Sequence, residues 1–385
     1  MSDWDSITAE ELRARGSVKW SDGGDVLGAW VAEMDYGTAP SVLEAWAESA
    51  RLLEFGYPPQ AINRDMSEAT AEWYASEYGW EVSADDIAPI ADVIKGLELA
   101  ILEFSQQGGA VIVPTPAYMP FLFVPPMLGR EVIEVPMIPD ADGLLRFDLP
   151  AMRTHLEAGA NLIILANPGN PIGRVFSREE LVELGDLAGD FDARVFSDEI
   201  HAPLALFGNK HVPFASVSDA AARAAITATS ASKAWNLPGL KCAQLILSSD
   251  ADREKWVTIG PMASHGASTP GIRANTAAYR GGKPWLQEVV ATLESNHDLL
   301  RDGLAAALPR ARLSPLEGTY LAWLDLSAYP VDGEVGAHLL EKAGVRFVSG
   351  PAFGVGYDGF VRVNIATTRP ILTEIIERTA ASLVV

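Results

Sequence analysis

Three short runs of mostly apolar residues, rich in β-branched side chains, stand out along this chain. They are Leu162–Ala166, Ala193–Phe196 and Ala225–Ala228. Apolar residues occupy most positions of each run rather than every second one, and this pattern is typical of strands buried on both faces of a sheet. The sequence therefore predicts three buried strands in the middle of the chain.

The same kind of run recurs between about Ser41 and Gly281, where strand-like segments such as Gly109–Val113 alternate with helical periodicity such as Arg178–Leu187. Alternation of strands and helices is the pattern of an α/β fold with helices on both faces of the sheet. We therefore predict a large α/β domain over residues 41–281.

The pattern changes at Gly281-Gly282-Lys283-Pro284. Proline is favoured in a first helical turn, and the apolar residues that follow keep helical spacing over some 25 positions. Those residues are Leu286, Val289, Val290, Leu293, Leu300, Leu304 and Leu308. We predict a long interdomain helix that leads into a smaller C-terminal domain, together covering residues 282–385.

The composition is that of a large globular protein, and it restricts the classes of partner that the protein could bind. The chain has 385 residues and a formal net charge of −22, which opposes binding to nucleic acid. Its one cysteine, Cys242, lies in a strand-like run and allows no intrachain disulfide. The most apolar stretch, Pro120–Leu128, is too short to cross a bilayer, and residues 1–16 lack the apolar core of a signal peptide. We expect a cytoplasmic protein without membrane contact.

Motifs for metals and dinucleotides are absent from the sequence in any meaningful context. The six histidines are scattered, without a His-Glu-x-x-His pattern, so we predict no metal. Gly354, Gly356 and Gly359 form a Gly-x-Gly-x-x-Gly string, but it precedes the strand-like run Phe360–Ile365 instead of following a strand. We interpret it as a glycine-rich turn.

Polar segments follow the three buried runs directly. They are Asn167-Pro168-Gly169-Asn170-Pro171, Ser197-Asp198-Glu199-Ile200-His201 and Thr229-Ser230-Ala231-Ser232-Lys233. The carboxyl ends of strands are where open α/β sheets hold their ligands. Each segment alone is a common turn, strand end or solvated lysine, but the three in this order predict one shared site.

The residue types in these segments suit pyridoxal 5′-phosphate (PLP). Lys233 supplies the amine that PLP needs to hold its aldehyde. Asp198 supplies the carboxylate that keeps the ring nitrogen protonated. Asn170 and His201 supply donors for the ring hydroxyl. At this point the chain resembles the fold-type I PLP-dependent enzymes, the aspartate aminotransferase superfamily.

That resemblance implies a large domain with a mostly parallel sheet sandwiched by helices, a smaller α/β C-terminal domain, and an N-terminal arm, residues 1–40, that packs with the small domain. It also implies a phosphate site. The turn at Asp92 and Val93, before the helical stretch Ile94–Phe104, would present backbone amides, while Ser230 and Ser232 would add hydroxyl groups. Lys241 falls where many members of the superfamily have a phosphate-binding arginine.

Two residues depart from the pattern of the resembled subfamily. Asp92 stands where glycine is usual, and a carboxylate about 5 Å from a phosphate would cost roughly 3 kcal/mol per unit charge at a dielectric near 20. We therefore expect Asp92 to cap the following helix or to pair with Lys95 or Lys241. Gly169 stands where histidine is frequent, which leaves the polarity on the substrate side open.

Two further side chains take roles through the resemblance. Tyr118 follows a strand and would stack on the pyridine ring as a catalytic residue beside Lys233 and Asp198; otherwise it is a core aromatic residue. Arg362 alternates within a strand and would bind the substrate α-carboxylate together with Asn170; otherwise it is a solvated strand residue.

Five stretches between about Val26 and Arg369 resemble the MalY/PatB class of carbon–sulfur β-lyases, the cystathionine β-lyase type. They are Trp30–Tyr36, Phe55–Pro58, Ser197–His201, Lys283–Leu286 and Glu317–Asp325. In that class the tyrosine that matches Tyr57 reaches the phosphate in the partner subunit. The resemblance therefore implies a homodimer with shared active sites.

The function implied is β-elimination from an amino acid with sulfur at Cβ, such as L-cystathionine, to give a thiol, pyruvate and ammonia. An aminotransferase of class I/II is the alternative, since it shares the early steps, and the partition depends on pocket geometry. A further alternative is a PLP-binding regulatory protein that acts through a protein partner.

Overall fold

The computed structural model describes residues 4–384. Its α-helices are α1 (Ala9–Arg15), α2 (Pro40–Arg51), α3 (Gln60–Trp73), α4 (Val93–Leu99), α5 (Pro120–Met127), α6 (Leu149–Glu157), α7 (Arg178–Asp190), α8 (Asp219–Ala224), α9 (Asp250–Ala263), α10 (Thr269–Gly281), α11 (Lys283–Ala307), α12 (Val335–Ala343) and α13 (Arg369–Leu383).

Strands alternate with these helices in the first two thirds of the chain. They are β1 (Leu27–Gly28), β2 (Ile87–Ile90), β3 (Val111–Thr115), β4 (Val132–Pro136), β5 (Ile138–Pro139), β6 (Leu145–Arg146), β7 (Leu162–Ala166), β8 (Arg194–Asp198), β9 (Ala225–Thr229), β10 (Ala243–Leu247), β11 (Arg312–Leu313), β12 (Leu321–Asp325), β13 (Val345–Arg346), β14 (Val348–Ser349) and β15 (Phe360–Asn364).

The central sheet has seven strands in the order β2-β10-β9-β8-β7-β3-β4. Only β10 runs against the others, since its pairings with β2 and β9 are antiparallel and the remaining pairings are parallel. The mostly parallel sheet predicted from the sequence is thereby confirmed. The strand predicted at 109–113 begins two residues later, because Gly109 packs against the Asn161 side chain and accepts a hydrogen bond from Arg130.

Both faces of this sheet are buried, which explains the continuous apolar runs. Along β7, Leu162 and Ile164 face one apolar cluster, which includes Leu97 of α4. Ile163 and Leu165 face the other, which includes Leu184 of α7. Helices therefore cover both faces, as the sequence pattern predicts.

The long helix α11 begins at Lys283 with proline in its first turn and ends at Ala307. Its apolar stripe, Leu293, Leu300 and Leu304, belongs to the same cluster as Ile375 of α13. Beyond it lies a four-stranded antiparallel sheet in the order β11-β12-β15-β14. The domain boundaries at residues 40 and 281 stay predictions of the sequence.

The segment before α2 is tied to the C-terminal part of the chain. Strand β1 pairs in parallel with β13. Lys19 and Asp35 form a fully buried ion pair of 2.9 Å, and Trp20 Nε1 donates to the same carboxylate at 2.8 Å. Lys19 Nζ also donates to the Ala366 carbonyl at 3.3 Å. A buried charge of this kind is tolerated because it is paired and hydrogen-bonded.

Two smaller features complete the fold. The predicted helix at 94–104 begins at Val93 and continues after Leu99 as a π-helical turn, Ala100–Phe104. The glycine-rich string lies in a turn before β15, where Gly354 and Gly356 have positive φ values of 136° and 93°. Within residues 4–384 no helix is both long and apolar enough to cross a membrane.

We predict that Lys19→Ala destabilises the fold strongly, because it leaves the Asp35 carboxylate buried without its counter-charge. The expected loss is about 3 kcal/mol of unfolding free energy, measured by urea denaturation. Lys342→Ala is the matched control, since Lys342 forms an exposed pair with Glu341, and it should leave the midpoint nearly unchanged. Equal effects of both substitutions would contradict this role of the buried pair.

Candidate active site

The carboxyl ends of β7, β8 and β9 lead into one cavity of about 210 Å³. The structure brings most of the predicted site residues to its wall. These are Asp92, Val93, Tyr118, Asn170, Asp198, His201, Ser232, Lys233 and Lys241. Adjacent parallel strands place their carboxyl ends at one edge of the sheet, so residues far apart in the sequence meet there.

Asn170 lies in a loop that is held from both ends. Asn167 accepts a hydrogen bond from the Phe176 amide at 3.1 Å, and the Gly169 amide donates to the Arg174 carbonyl at 2.8 Å. This bracing fixes the Asn170 side chain, whose Oδ1 accepts from Arg362 Nη1 at 3.0 Å.

Asp198 is the last residue of β8 and is buried. Its Oδ1 accepts a hydrogen bond from the Ile200 amide at 3.0 Å, which fixes the carboxylate at the strand end. Burial raises the pKa of Asp198 to about 7, although the Ile200 hydrogen bond and the charge of Lys233 act in the opposite direction. A cation placed beside this carboxylate would favour its charged form.

Lys233 follows β9 and lines the same cavity. Its Nζ donates to the Ala32 carbonyl at 3.0 Å, and no carboxylate of residues 4–384 lies within ion-pair distance of it. Burial, with the charge of Arg362 acting in the same direction, lowers the pKa of Lys233 to about 8. The amine is thus available as a neutral base or nucleophile close to neutral pH.

His201 is buried, and burial holds its pKa well below the ordinary value, with the charges of Lys233 and Arg362 acting in the same direction. Its ring lies edge-on to Tyr320, with centroids 5.7 Å apart. Nδ1 is buried and has no hydrogen-bond partner among the described residues. A neutral imidazole with a free ring nitrogen at the cavity wall suits a polar group of a bound molecule.

Arg362 is 2% exposed, and no carboxylate within the described chain contacts it. Its Nη1 bonds Asn170, its Nη2 donates to the Trp30 carbonyl at 2.7 Å, and its Nε has no partner among residues 4–384. Burial lowers its pKa to about 10. A buried cation without a counter-ion is costly, so the arrangement favours an anionic ligand.

The two carboxylate oxygens of Asp92 have separate partners. Oδ1 caps α4 by accepting from the Lys95 amide at 2.9 Å, and Oδ2 pairs with Lys241 Nζ at 2.8 Å. Both contacts are among those expected from the sequence, while the Lys95 ammonium pairs with Glu98 instead. The carboxylate is therefore neutralised where it stands.

The two predicted serines occupy different depths. Ser232 lines the cavity, whereas Ser230 lies beneath it, bonded to Ser232 Oγ at 2.6 Å and donating to the Cys242 carbonyl at 2.7 Å. Ser230 thus does not line the cavity itself but holds the Ser232 hydroxyl, which does. Cys242 itself is buried, as the sequence predicts, and burial raises the pKa of its thiol above the ordinary value.

The tyrosines and Gly169 differ in position. Tyr118 lines the cavity and lies edge-on to Phe121, with centroids 5.5 Å apart. Tyr57 lies outside it, 82% exposed, with its ring 5.3 Å from that of His265. A Cβ at Gly169 would approach Ile172 Cγ1 to 2.8 Å, so Ile172 takes the space that a larger residue would need.

Sequence reasoning missed the contribution of the N-terminal segment. Its backbone carbonyls accept from the site: Trp30 from Arg362, and Ala32 from both Lys233 and Tyr320 Oη, the latter at 2.9 Å. Asn364 Nδ2 donates to the Val31 and Glu33 carbonyls. Every residue has a backbone carbonyl group, so residue identity does not reveal which carbonyl accepts a hydrogen bond. Only the resemblance of the Trp30–Tyr36 stretch as a whole indicated that this segment belongs to the site. Ile94, Pro168, Ile200 and Pro238 also line the cavity.

The donors in this cavity fit PLP. They comprise a lysine amine with a lowered pKa, a buried carboxylate, an imidazole with an unpartnered ring nitrogen, and a second lysine with a serine hydroxyl near the start of a helix. Arg362 adds a place for a carboxylate next to them. In residues 4–384, no group of three or more histidine, cysteine or acidic side chains is arranged to hold a metal ion.

Comparisons with known proteins agree with this site. The family model for class I and II aminotransferases matches residues 27–378. A cystathionine beta-lyase of Corynebacterium glutamicum is 39% identical over 377 residues, 97% of this chain and 98% of that protein. The cystathionine beta-lyase PatB of Bacillus subtilis (strain 168) is 33% identical over 383 residues, 97% of this chain and 98% of that protein. The solved structure of a PLP-dependent beta-cystathionase from Corynebacterium diphtheriae has a TM-score of 0.92 and 43% identity, covering 98% of both chains.

We predict that Asp92→Gly leaves the affinity for PLP equal or up to about tenfold weaker, because the substitution removes a helix cap and the partner that orients Lys241. Titration of the cofactor-free protein with PLP, followed by absorbance, measures this. Glu98→Gln is the control, since Glu98 pairs with Lys95 on the same helix. A large gain in affinity would mean that the Asp92 carboxylate repels the phosphate.

Proposed function

The chain belongs to the class I and II aminotransferase family, and on that premise we propose that it is a PLP-dependent carbon–sulfur β-lyase. Its substrate is L-cystathionine or a related S-substituted cysteine, which it cleaves to a thiol, pyruvate and ammonia. The resemblance seen in the sequence is confirmed by the match to PatB and by the fold shared with the β-cystathionase structure. We propose that the protein acts on free amino acids in the cytoplasm.

The unpaired Arg362 guanidinium is the observation that carries this proposal. It lies behind the cavity wall, where its Nη1 donates to Asn170, which lines the cavity together with Lys233 and Asp198. Its Nε is free, and it has no carboxylate partner within residues 4–384. An α-amino acid supplies the missing carboxylate and presents its amino group and Cα toward the lysine. We infer the sulfur substituent at Cβ from the two relatives, both of which are named cystathionine beta-lyases.

Several residues would hold the cofactor. Lys233 would bind its aldehyde, Asp198 would face its ring nitrogen, and Asn170 with His201 would face its hydroxyl. Tyr118 would stack on the ring. Lys241, Ser232 and the amides following Asp92 would bind the phosphate. When bound, PLP supplies an electron sink for the charge that develops at Cα.

The protein's own groups then account for the elimination. Arg362 and Asn170 fix the substrate carboxylate and thereby the direction of the Cα–H bond. Lys233, with its pKa of about 8, takes the Cα proton, and the Ala32 carbonyl is the acceptor that holds the amine when it is free. The thiolate leaves from Cβ, and water completes the conversion to pyruvate and ammonia.

We predict sustained release of pyruvate from L-cystathionine by the PLP-loaded protein without any added 2-oxo acid. Lys233→Ala should abolish both turnover and the visible absorbance of lysine-bound cofactor, because Lys241, the other lysine at the cavity, is paired with Asp92. Lys210→Ala is the matched control: Lys210 is exposed and lies outside the cavity, so the rate should stay at the wild-type level.

The outcomes separate the three functions. Conversion of the bound cofactor to its amine form on a panel of amino acids, with turnover only when a 2-oxo acid is present, would establish an aminotransferase instead. Negligible turnover together with a stoichiometric protein partner in a pull-down would favour the regulatory function. Full activity of Lys233→Ala would overturn the assignment of the lysine.

The proposal includes a homodimer in which Tyr57 serves the partner's active site. The Tyr57 hydroxyl makes no hydrogen bond within residues 4–384, and the residue is 82% exposed. It lies in a segment rich in exposed apolar side chains, a feature of association surfaces. These side chains are Leu43, Trp46, Leu52, Leu53 and Phe55.

A mixing experiment tests the dimer. Tyr57→Ala and Lys233→Ala each impair their own homodimers, but a mixed dimer holds one site with both native residues if Tyr57 acts across the interface. Random reassortment then restores about a quarter of wild-type activity. No recovery on mixing, with dimers present by sedimentation, would contradict the shared site.

A further inference from the structure

Glu199 follows Asp198 directly and lies on the opposite side of the strand end. Its side chain is fully buried, and four groups donate to it. Ser197 Oγ and the Phe214 amide bond Oε1, each at 3.0 Å. Tyr74 Oη at 3.1 Å and His211 Nε2 at 3.0 Å bond Oε2. Four donors around both oxygens are the environment of an ionised carboxylate.

The backbone of Glu199 is fixed as firmly as its side chain. Its amide donates to the Ala228 carbonyl at 2.8 Å and so extends the pairing of β8 with β9 by one residue beyond Asp198. Its carbonyl accepts from the Ala202 amide at 2.9 Å and from Thr229 Oγ1 at 3.3 Å. Asp198 therefore stands next to a residue whose every polar atom is bound.

The charge of Glu199 is only partly compensated. Among residues 4–384, His211 is the one basic side chain hydrogen-bonded to Glu199, and the Nδ1 of that ring is buried and unpartnered. A second proton on that ring would leave a buried N–H group without an acceptor, which is costly. A neutral imidazole that donates from Nε2 fits the geometry, and the negative charge then stays on Glu199.

We infer that Glu199 is a positioning residue for Asp198 and that its negative charge, placed behind Asp198, strengthens the hold of the site on a proton at the cofactor's ring nitrogen. The part of this inference that concerns the ring nitrogen rests on the proposed function. The part that concerns Asp198 rests on the structure alone. Two carboxylates near one cation stabilise that cation more than one does.

The surroundings of Glu199 contain few other groups that titrate. Tyr74 and Tyr78 are buried, and burial raises the pKa of both well above the ordinary value, so they stay neutral. Tyr78 packs edge-on to His211, with centroids 4.9 Å apart. Asp198 and, beyond it, Lys233 are the charged groups on the cavity side. Glu199 also contributes to the raised pKa of Asp198.

Glu199→Gln isolates the charge. The glutamine Oε1 keeps the bonds from Ser197 and Phe214, and its amide group can donate to the Tyr74 hydroxyl and to His211 Nε2 in the other tautomer. The hydrogen bonds to residue 199 are kept while the negative charge is lost, and the Nδ1–H group of His211 is then left without an acceptor. Ser197→Ala is the matched control, since it removes one hydrogen bond and keeps the charge.

The first readout needs no cofactor. Asp198 has a folded-state pKa of about 7, against about 3.9 for an aspartate in an unfolded chain. The stability that it contributes is therefore present at low pH and is lost as the pH rises from about 4 toward 7. Comparing thermal unfolding of each protein with its Asp198→Asn counterpart over this pH range isolates that loss. In Glu199→Gln the pH at which this stability is fully lost should be about half a pH unit lower than in the wild type, or lower still. In Ser197→Ala that pH should be unchanged.

The second readout uses the loaded enzyme. The ¹⁵N chemical shift of ring-labelled PLP reports the proton on the ring nitrogen, and in Glu199→Gln this proton should be lost at lower pH, with kcat reduced more than KM is changed. Unchanged titrations in both readouts, in a variant with a native circular dichroism spectrum, would overturn the inference. A shift of Asp198 in a protein that does not bind PLP would instead refute the proposed function and leave the Glu199–Asp198 coupling standing.

Discussion

The buried guanidinium of Arg362 joins the three parts of the chain that form the site. It is carried by β15, bonds Asn170 in the loop after β7, and donates to the Trp30 carbonyl of the N-terminal segment. Each contact uses a hydrogen-bond donor that would otherwise be buried and unsatisfied, so the three segments are held in one arrangement. The remaining Nε has no hydrogen-bond partner among residues 4–384.

The titratable groups of the cavity owe their behaviour to the same burial. Desolvation raises the pKa of Asp198 to about 7 and lowers that of Lys233 to about 8. A carboxyl group and an amine thus both change charge close to neutral pH, although the ordinary pKa values of the two groups are far apart. This convergence results from a shared low-dielectric wall rather than from direct contact between the two side chains.

The sequence predicts those parts of the site that depend on strand ends. Asn170, Asp198 and Lys233 follow buried runs, and a parallel sheet leaves no other place for them than one edge. Ser230 shows the limit, since strand position alone does not tell that it lies beneath Ser232. The acceptors on Trp30 and Ala32 could not be predicted, because they are backbone atoms placed by β1 and β13. The donors to Glu199 come from separate elements and leave no local pattern.

Uncompensated charge at the site has an electrostatic cost. Arg362 is a buried cation and Lys233 a half-buried one, neither has a carboxylate contact in the described chain, and Asp198 is a carboxyl group whose ionised form is disfavoured by burial. Near the helix start the opposite holds, because Asp92 already neutralises Lys241. The uncompensated charges are therefore on the three residues that we propose to face the ring nitrogen, the aldehyde and the substrate carboxylate. Binding of the cofactor and substrate should stabilise the fold at these points, as expected when a site is built for groups that the chain itself lacks.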